Sequence, residues 1–233
     1  MRGEELQDRV VYRERWEVVL AELRRRILTG QLPPGTVLAE TDLAEELGVS
    51  RGPIREAFRS LEAAGLILRE PRRQAVVSPI SLHDTEGLFA VRRSLEVLAA
   101  QLSVTRAHSE VAEALGARVA AMRDAVESGA SQDRFVMEDI QFHNVLYQLS
   151  DNSRLTAVWS TMRDSVEMLM NLSVRFEDPV WPSIIDEHAA IASAVAVGDV
   201  EHAAELVGQH LDQALFRARR YVDLYATSRA SAG

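Results

Sequence analysis

Leu47-Gly48-Val49-Ser50-Arg51-Gly52-Pro53-Ile54-Arg55-Glu56-Ala57 reads as a helix stop, a tight turn and a second helix start. Gly48 ends a short helix over residues 42–47, which Thr41 is placed to cap. Ser50 is placed to cap the next helix, and Pro53 falls in its first turn, where a missing N–H costs little. Ile54, Ala57, Phe58 and Leu61 repeat at helical spacing, and Gly65 stops the run. Upstream, Trp16, Val19, Leu20, Leu23 and Ile27 predict a helix over residues 5–29, ended by Gly30 and by Pro33-Pro34-Gly35. Residues 36–38 can form a short strand. Downstream, residues 66–69 and 75–77 read as short strands around a polar tip. The order is helix, helix, turn, helix, two-stranded wing: a winged helix-turn-helix over residues 1–79.

Pro79 and Ser81 mark a boundary, and no strand pattern follows. Helices are expected at 82–106, 109–128, 132–149, 153–175, 183–197 and 200–222. Ser81, Ser153 and Asp199 are expected N-caps, and Gly129 and Gly198 expected stops. Short connections between these helices make an antiparallel all-α bundle over residues 80–225. Residues 226–233 are expected to be a disordered tail. The fold class is mainly α.

The chain has no cysteine, so disulfides and thiolate chemistry are excluded, and any metal must sit on His, Asp or Glu. No apolar run reaches the roughly 20 residues of a membrane span, and the polar start does not read as a signal peptide, so the expected location is the cytoplasm. The net charge of −9 is unevenly spread. Residues 1–79 hold 13 Arg and 13 acids, whereas residues 80–233 hold 13 Arg and 22 acids. There is no lysine, so every cationic contact is a guanidinium, suited to bidentate phosphate and guanine recognition.

In a helix-turn-helix the second helix enters the major groove with its N-terminal residues at the base edges. Arg51 and Arg55 are four apart on that helix, and Arg59 extends the stripe. The helix N-terminus and the Ser50 hydroxyl suit a phosphate. These arginines alone are equally compatible with a solvated charged face. The flanking pattern from Leu32 to Ile67 decides for DNA, because it closely resembles the GntR family of bacterial regulators, most specifically from Leu47 to Ala57. The resemblance implies that Arg51 and Arg55 contact double-stranded operator DNA, with Thr41 and Ser50 near phosphates. Family members often carry Arg at the place of Thr41. Their wing usually has an Arg-Gly tip that enters the minor groove; here the pair is Arg73-Gln74, so Arg72 and Arg73 are expected at phosphates instead.

In the second half, Asp139 and His143 are four apart and share a helix face. His188 lies among Ile184, Ile185 and Ile191, and His210 among Leu206, Val207 and Leu211. Each alone is an ordinary core histidine. Together they form a carboxylate-and-three-imidazole set suited to zinc first, with nickel or manganese as alternatives. The spacing resembles the FCD domain of the FadR subfamily within GntR, over residues 82–222. That resemblance implies that Asp139, His143, His188 and His210 are divalent-metal ligands. It also implies that Arg92, in Val91-Arg92-Arg93-Ser94-Leu95-Glu96, faces a cavity for a small organic acid. Glu96, four residues on, is a rival partner for Arg92. Asn144, Arg163, Asn171 and Arg175 are weaker candidates for the cavity wall. Leu88, Val91, Leu95 and Leu98 can serve either a homodimer seam or the core.

The expected function is a ligand-responsive transcription regulator, a homodimeric repressor or activator, and not an enzyme. Two alternatives stay open: the same regulator without metal, and a metallohydrolase attached to a DNA-binding domain. The latter lacks a separate general base.

Overall fold

In the computed structural model, the described backbone covers residues 2–69, 74–173 and 180–231; side chains at 2–14, 108 and 228–231 lie outside the description. The wing-tip arginines Arg72 and Arg73, and Arg175, therefore fall outside it. The chain divides into two compact units, residues 1–79 and 80–233.

The first unit is organised by helix α3 (Arg51–Ala63). Its apolar side, Ile54, Ala57, Phe58 and Leu61, is buried against Val19, Leu23 and Ile27 of α1 (Arg2–Leu28). Spacings of three and four along both helices put each set on one stripe. The arginines of α3 are left outside because no apolar neighbour covers that side. Between α2 (Glu40–Glu46) and α3 the chain reverses at Gly48, whose φ of 64° is a left-handed conformation that glycine adopts without a Cβ clash. Helix α2 starts earlier than the sequence suggests. Ala39 occupies its N-cap, so Thr41 lies inside the first turn and donates to Asp42 Oδ1 at 2.9 Å instead of capping. The wing is three-stranded rather than two-stranded: β1 (Val37–Leu38), β2 (Ile67–Arg69) and β3 (Ala75–Val77) form an antiparallel sheet in the order β1-β3-β2. Val37 pairs with Val76, and Ile67 with Val77. A strand of two residues is too short to be specified by alternation; its partner decides it.

The second unit is an all-helical bundle. Its first element, α4 (Leu82–Glu127), is the two expected helices joined end to end across a kink. Ala107 (φ −149°, ψ 43°) is non-helical at the break expected between residues 106 and 109, and residues 105–110 contain neither proline nor glycine, so the chain kinks there without an intervening loop. Ser81 caps α4 by accepting from the Asp84 N–H at 3.0 Å. Helices α5 (Gln132–Leu149), α7 (Trp181–Ala196) and α8 (Val200–Ser231) pack on α4, and α6 (Ser153–Ser173) packs on α5. Asn152, not Ser153, caps α6, accepting from the N–H groups of Arg154 and Leu155. Asp199 caps α8 through the His202 N–H. The core joins Ala99, Ala100 and Val104 of α4 to Phe135, Phe142, Leu146 and Tyr147 of α5, Trp159 and Val166 of α6, Ile185 and Ile191 of α7, and Val207 and Leu211 of α8. The tail expected to be disordered from residue 226 is helical as far as Ser231, continuing the helix that buries Tyr221 and Val222. Among the described residues no helix is long and apolar enough to cross a membrane.

Candidate functional site

On the first unit, Ser50, Arg51, Arg55, Arg59 and Thr41 are all exposed. Ser50 holds the N-cap position of α3 in extended conformation, but its hydroxyl makes no capping hydrogen bond. Arg59 donates to Glu56 at 2.6 Å. Sequence reasoning missed Glu40. Its Oε2 accepts from Arg55 Nε at 2.8 Å and from Arg51 Nη2 at 3.3 Å, and its Oε1 lies 3.8 Å from Arg69 Nη2. One carboxylate of α2, with a side chain only 19% exposed, thus holds two guanidiniums of α3 and faces a third from the wing. No spacing rule reveals this, because the partners are brought together by the packing of α2 on α3.

On the second unit, Asp139 and His143 of α5, His188 of α7 and His210 of α8 are buried, and one ligand atom from each lies within 4.8 Å of all the others. His143 Nε2 is 3.5 Å from Asp139 Oδ2, and His188 Nε2 is 3.3 Å from Asp139 Oδ1. Bonds of about 2.0–2.2 Å to a tetrahedral ion place ligand atoms roughly 3.4 Å apart, so these separations fit a shared cation.

The other ring nitrogens decide the chemistry. His188 Nδ1 lies 2.7 Å from the Ile184 carbonyl oxygen, which only accepts, so Nδ1 carries the proton. His210 Nδ1 donates to Glu187 Oε2 at 2.6 Å, and His143 Nδ1 donates to Glu96 Oε1. In the neutral rings all three Nε2 atoms therefore carry a lone pair. They converge with a carboxylate in a space where Asp139 Oδ2, His143 Nε2 and His188 Nε2 have no hydrogen-bond partner. Acceptors facing acceptors call for a proton or a cation between them.

Electrostatics agree. Burial, reinforced by His210, pushes His188 down to about 3, so it is neutral at pH 7. Burial also pushes His210 down, although its hydrogen bond to Glu187 opposes this. Burial resists charge on Asp139, but His188 and His143 outweigh it and hold the carboxyl below its usual range. Glu96 and Glu187 are each drawn to about 2 against burial, Glu96 by His143 and Arg92, Glu187 by His210 and Arg217. Burial would lower His143, yet the Glu96 carboxylate raises it. The cluster calls for positive charge, which a proton on His143 or a cation at the centre supplies.

A cavity of about 320 Å3 adjoins the cluster, lined by Arg92, Asp139 and His210 among others. Arg92 is 1% exposed and its guanidinium carbon lies 5.7 Å and 5.6 Å from the ring centroids of Phe89 and Trp159. The rival pairing with Glu96 is real: Arg92 Nε donates to Glu96 Oε2 at 3.1 Å. Even so, Arg92 Nη2 is buried without a partner. Of the other cavity candidates, Asn144, Arg163 and Asn171 are not among its described lining. Asn144 spends its amide on Trp159 Nε1 and Gln141, and Arg163 bonds Asp164. Asn171 is buried in α6 away from the lining. Glu96 and Glu187 were not anticipated as partners of the histidines. Glu187 adjoins His188 in sequence but serves His210 on another helix, so only the packing of α7 on α8 exposes the link.

Residues 87–213 match the FCD domain family, and residues 16–77 match the gntR family of bacterial regulatory proteins. The chain is 31% identical over 202 residues to the uncharacterized HTH-type transcriptional regulator YieP of Escherichia coli (strain K12), covering 78% of this chain and 86% of that one. It is 29% identical over 187 residues to the gluconate operon transcriptional repressor of Bacillus subtilis (strain 168), covering 78% of this chain and 75% of that one. A solved GntR-type transcriptional regulator from Rhodococcus sp. RHA1 superposes with a TM-score of 0.71 at 26% identity, covering 88% of this chain and 97% of that one. These relatives are transcription regulators, not enzymes. The chain belongs to the GntR family of bacterial regulatory proteins and is a DNA-binding transcription regulator whose helix-turn-helix is followed by an FCD domain.

Proposed function

We propose that this regulator is a homodimeric repressor whose hold on its operator changes when a small organic acid binds beside a divalent metal in the helical unit. The observation that carries the metal reading is the shared tautomer of His143, His188 and His210, which turns three lone pairs toward Asp139. Asp139, His143, His188 and His210 would hold the ion, zinc first and nickel or manganese next. When bound, it supplies an electrophilic point for a carboxylate oxygen. Arg92 offers its unpartnered Nη2 to the same carboxylate. The repressor assignment draws on the gluconate operon repressor of B. subtilis.

On the DNA side, Arg51 and Arg55 read bases. Ser50, Thr41 and Arg59 are exposed along the same surface and suit phosphates. For the dimer seam, α4 separates its apolar positions. Leu88 and Leu95 pack against the core, whereas Val91 and Leu98, one heptad apart, are 50% and 41% exposed. Val91 and Leu98 are the seam candidates.

Two outcomes test the effector site. Arg92→Ala should weaken binding of a carboxylic acid by roughly tenfold to a hundredfold, the worth of a charged hydrogen bond, while its primary amide loses little. Calorimetry on metal-loaded protein gives both constants, and equal losses would remove Arg92 from the site. Glu187→Gln should lower metal affinity about 10–100-fold, because the charge that fixes the His210 ring is gone. Competition with a chromophoric chelator reads this, and an unchanged affinity would leave Glu187 a mere surface partner of Arg217.

A further inference from the structure

The described lining of the cavity beside the histidine cluster holds two kinds of buried side chain. Among the described residues, the buried charged or imidazole side chains that line it are Arg92, Asp139 and His210. The other buried side chains among the described lining residues are Phe89, Leu169, Ile184, Ala218 and Tyr221, whose hydroxyl is the one polar side-chain atom of the five. The remaining polar groups are committed or peripheral. Ser173 donates its hydroxyl proton to the Met170 carbonyl, and Glu187 and Arg217 bind each other. Ser183, Gln213 and Arg220 are exposed. A ligand whose anionic head meets Arg92 and the cluster therefore lays the rest of its length against hydrocarbon.

We infer that the effector is a monocarboxylic acid with an apolar aliphatic or arylalkyl body, and not a polyhydroxylated sugar acid. Each methylene buried against this wall tightens binding about fourfold. Each hydroxyl turned to it without a partner weakens binding roughly fivefold to a hundredfold. The volume of about 320 Å3 suits a small acid, at the lower end of the roughly 300–1,000 Å3 typical of ligand pockets. The inference rests on the proposed meeting of the effector carboxylate with Arg92 and the histidine cluster.

The test is a calorimetric series on the full-length, zinc-loaded protein with acids that share a 2-hydroxycarboxylate head: lactate, 2-hydroxyhexanoate, 3-phenyllactate and gluconate. The dissociation constant should fall about sixtyfold from lactate to 2-hydroxyhexanoate, at roughly fourfold per added methylene. The phenyl acid should bind at least as tightly as 2-hydroxyhexanoate, and gluconate at least tenfold more weakly. A series that binds but is flat with chain length, or that is led by gluconate, overturns the apolar body and leaves the carboxylate site in place. If none of the four binds, the carboxylate reading itself fails and takes this inference with it. Leu169→Asn provides a second measurement: it should narrow the gap between 2-hydroxyhexanoate and lactate affinities. An undiminished gap in a folded variant would count against the wall.

Discussion

A protein carrying both His143→Ala and His210→Ala is expected to retain no stoichiometric metal and no response to organic acids. The two substitutions remove Nε2 donors from α5 and α8 and leave Asp139 and His188, too few to hold a borderline divalent ion against solvent. They also strip Glu96 and Glu187 of their imidazole partners. Glu96 is fully buried, so the variant also loses stability for reasons unrelated to metal. The informative quantity is therefore the metal-dependent shift in melting temperature, not its absolute value. A ligand present at a hundred times its dissociation constant stabilises the native state by about 2.7 kcal/mol. Chelation should accordingly lower the melting temperature of the unmodified protein by several degrees and leave the double variant where it was. Metal analysis of protein purified without a polyhistidine tag completes the test. One ion per chain retained in the double variant would place the metal elsewhere, and a chelation shift of zero in the unmodified protein would favour the metal-free alternative.

Arg55→Ala is expected to abolish operator discrimination while the unit stays folded. The residue is exposed on α3, opposite Ile54, Ala57 and Phe58, so truncation leaves the core intact. A bidentate guanidinium on guanine is worth about 1–3 kcal/mol against the wrong base, or roughly fivefold to 150-fold at that position. Arg51→Ala should act in the same direction. Glu40 refines the expectation. Its carboxylate ties Arg55 Nε and Arg51 Nη2, which restricts how the two forks can turn. Glu40→Gln removes a negative charge from the surface, so non-specific affinity should rise while the ratio of operator to random-sequence affinity falls. Titrations of both duplexes across a range of salt concentrations separate the effects. A phosphate contact alone would change the salt slope by about one and lower both affinities together. Full discrimination by Arg55→Ala protein would disqualify α3 as the reading helix.

The winged helix-turn-helix was legible because local rules agree there. Gly48 and Gly65 stop helices, Pro53 sits in the first turn of α3, and the apolar residues of α1 and α3 keep helical period. Asp139 and His143 were legible for the same reason, being one turn apart on α5. The misreadings fall where local signals are weak or a partner element decides. The strand expected at residues 36–38 joins the wing as its third strand because β3 pairs with it. Residue type marks Asn144, Arg163 and Asn171 as cavity candidates but is silent about the direction in which a helix face turns.

Taken alone, the order of residues determined the kinds of element, the family, and which side chains carry charge, lone pairs or hydrocarbon. These are properties of one segment at a time, set by periods of three or four residues and by the backbone preferences of glycine and proline. Tertiary structure decided the pairings: Glu40 with two arginines of α3, Glu96 with His143, Glu187 with His210, and Arg92 with one nitrogen spent and another left over. Except for Arg92–Glu96, these join separate helices, and side chains far apart in sequence meet only when the core fixes how each helix is rotated about its own axis.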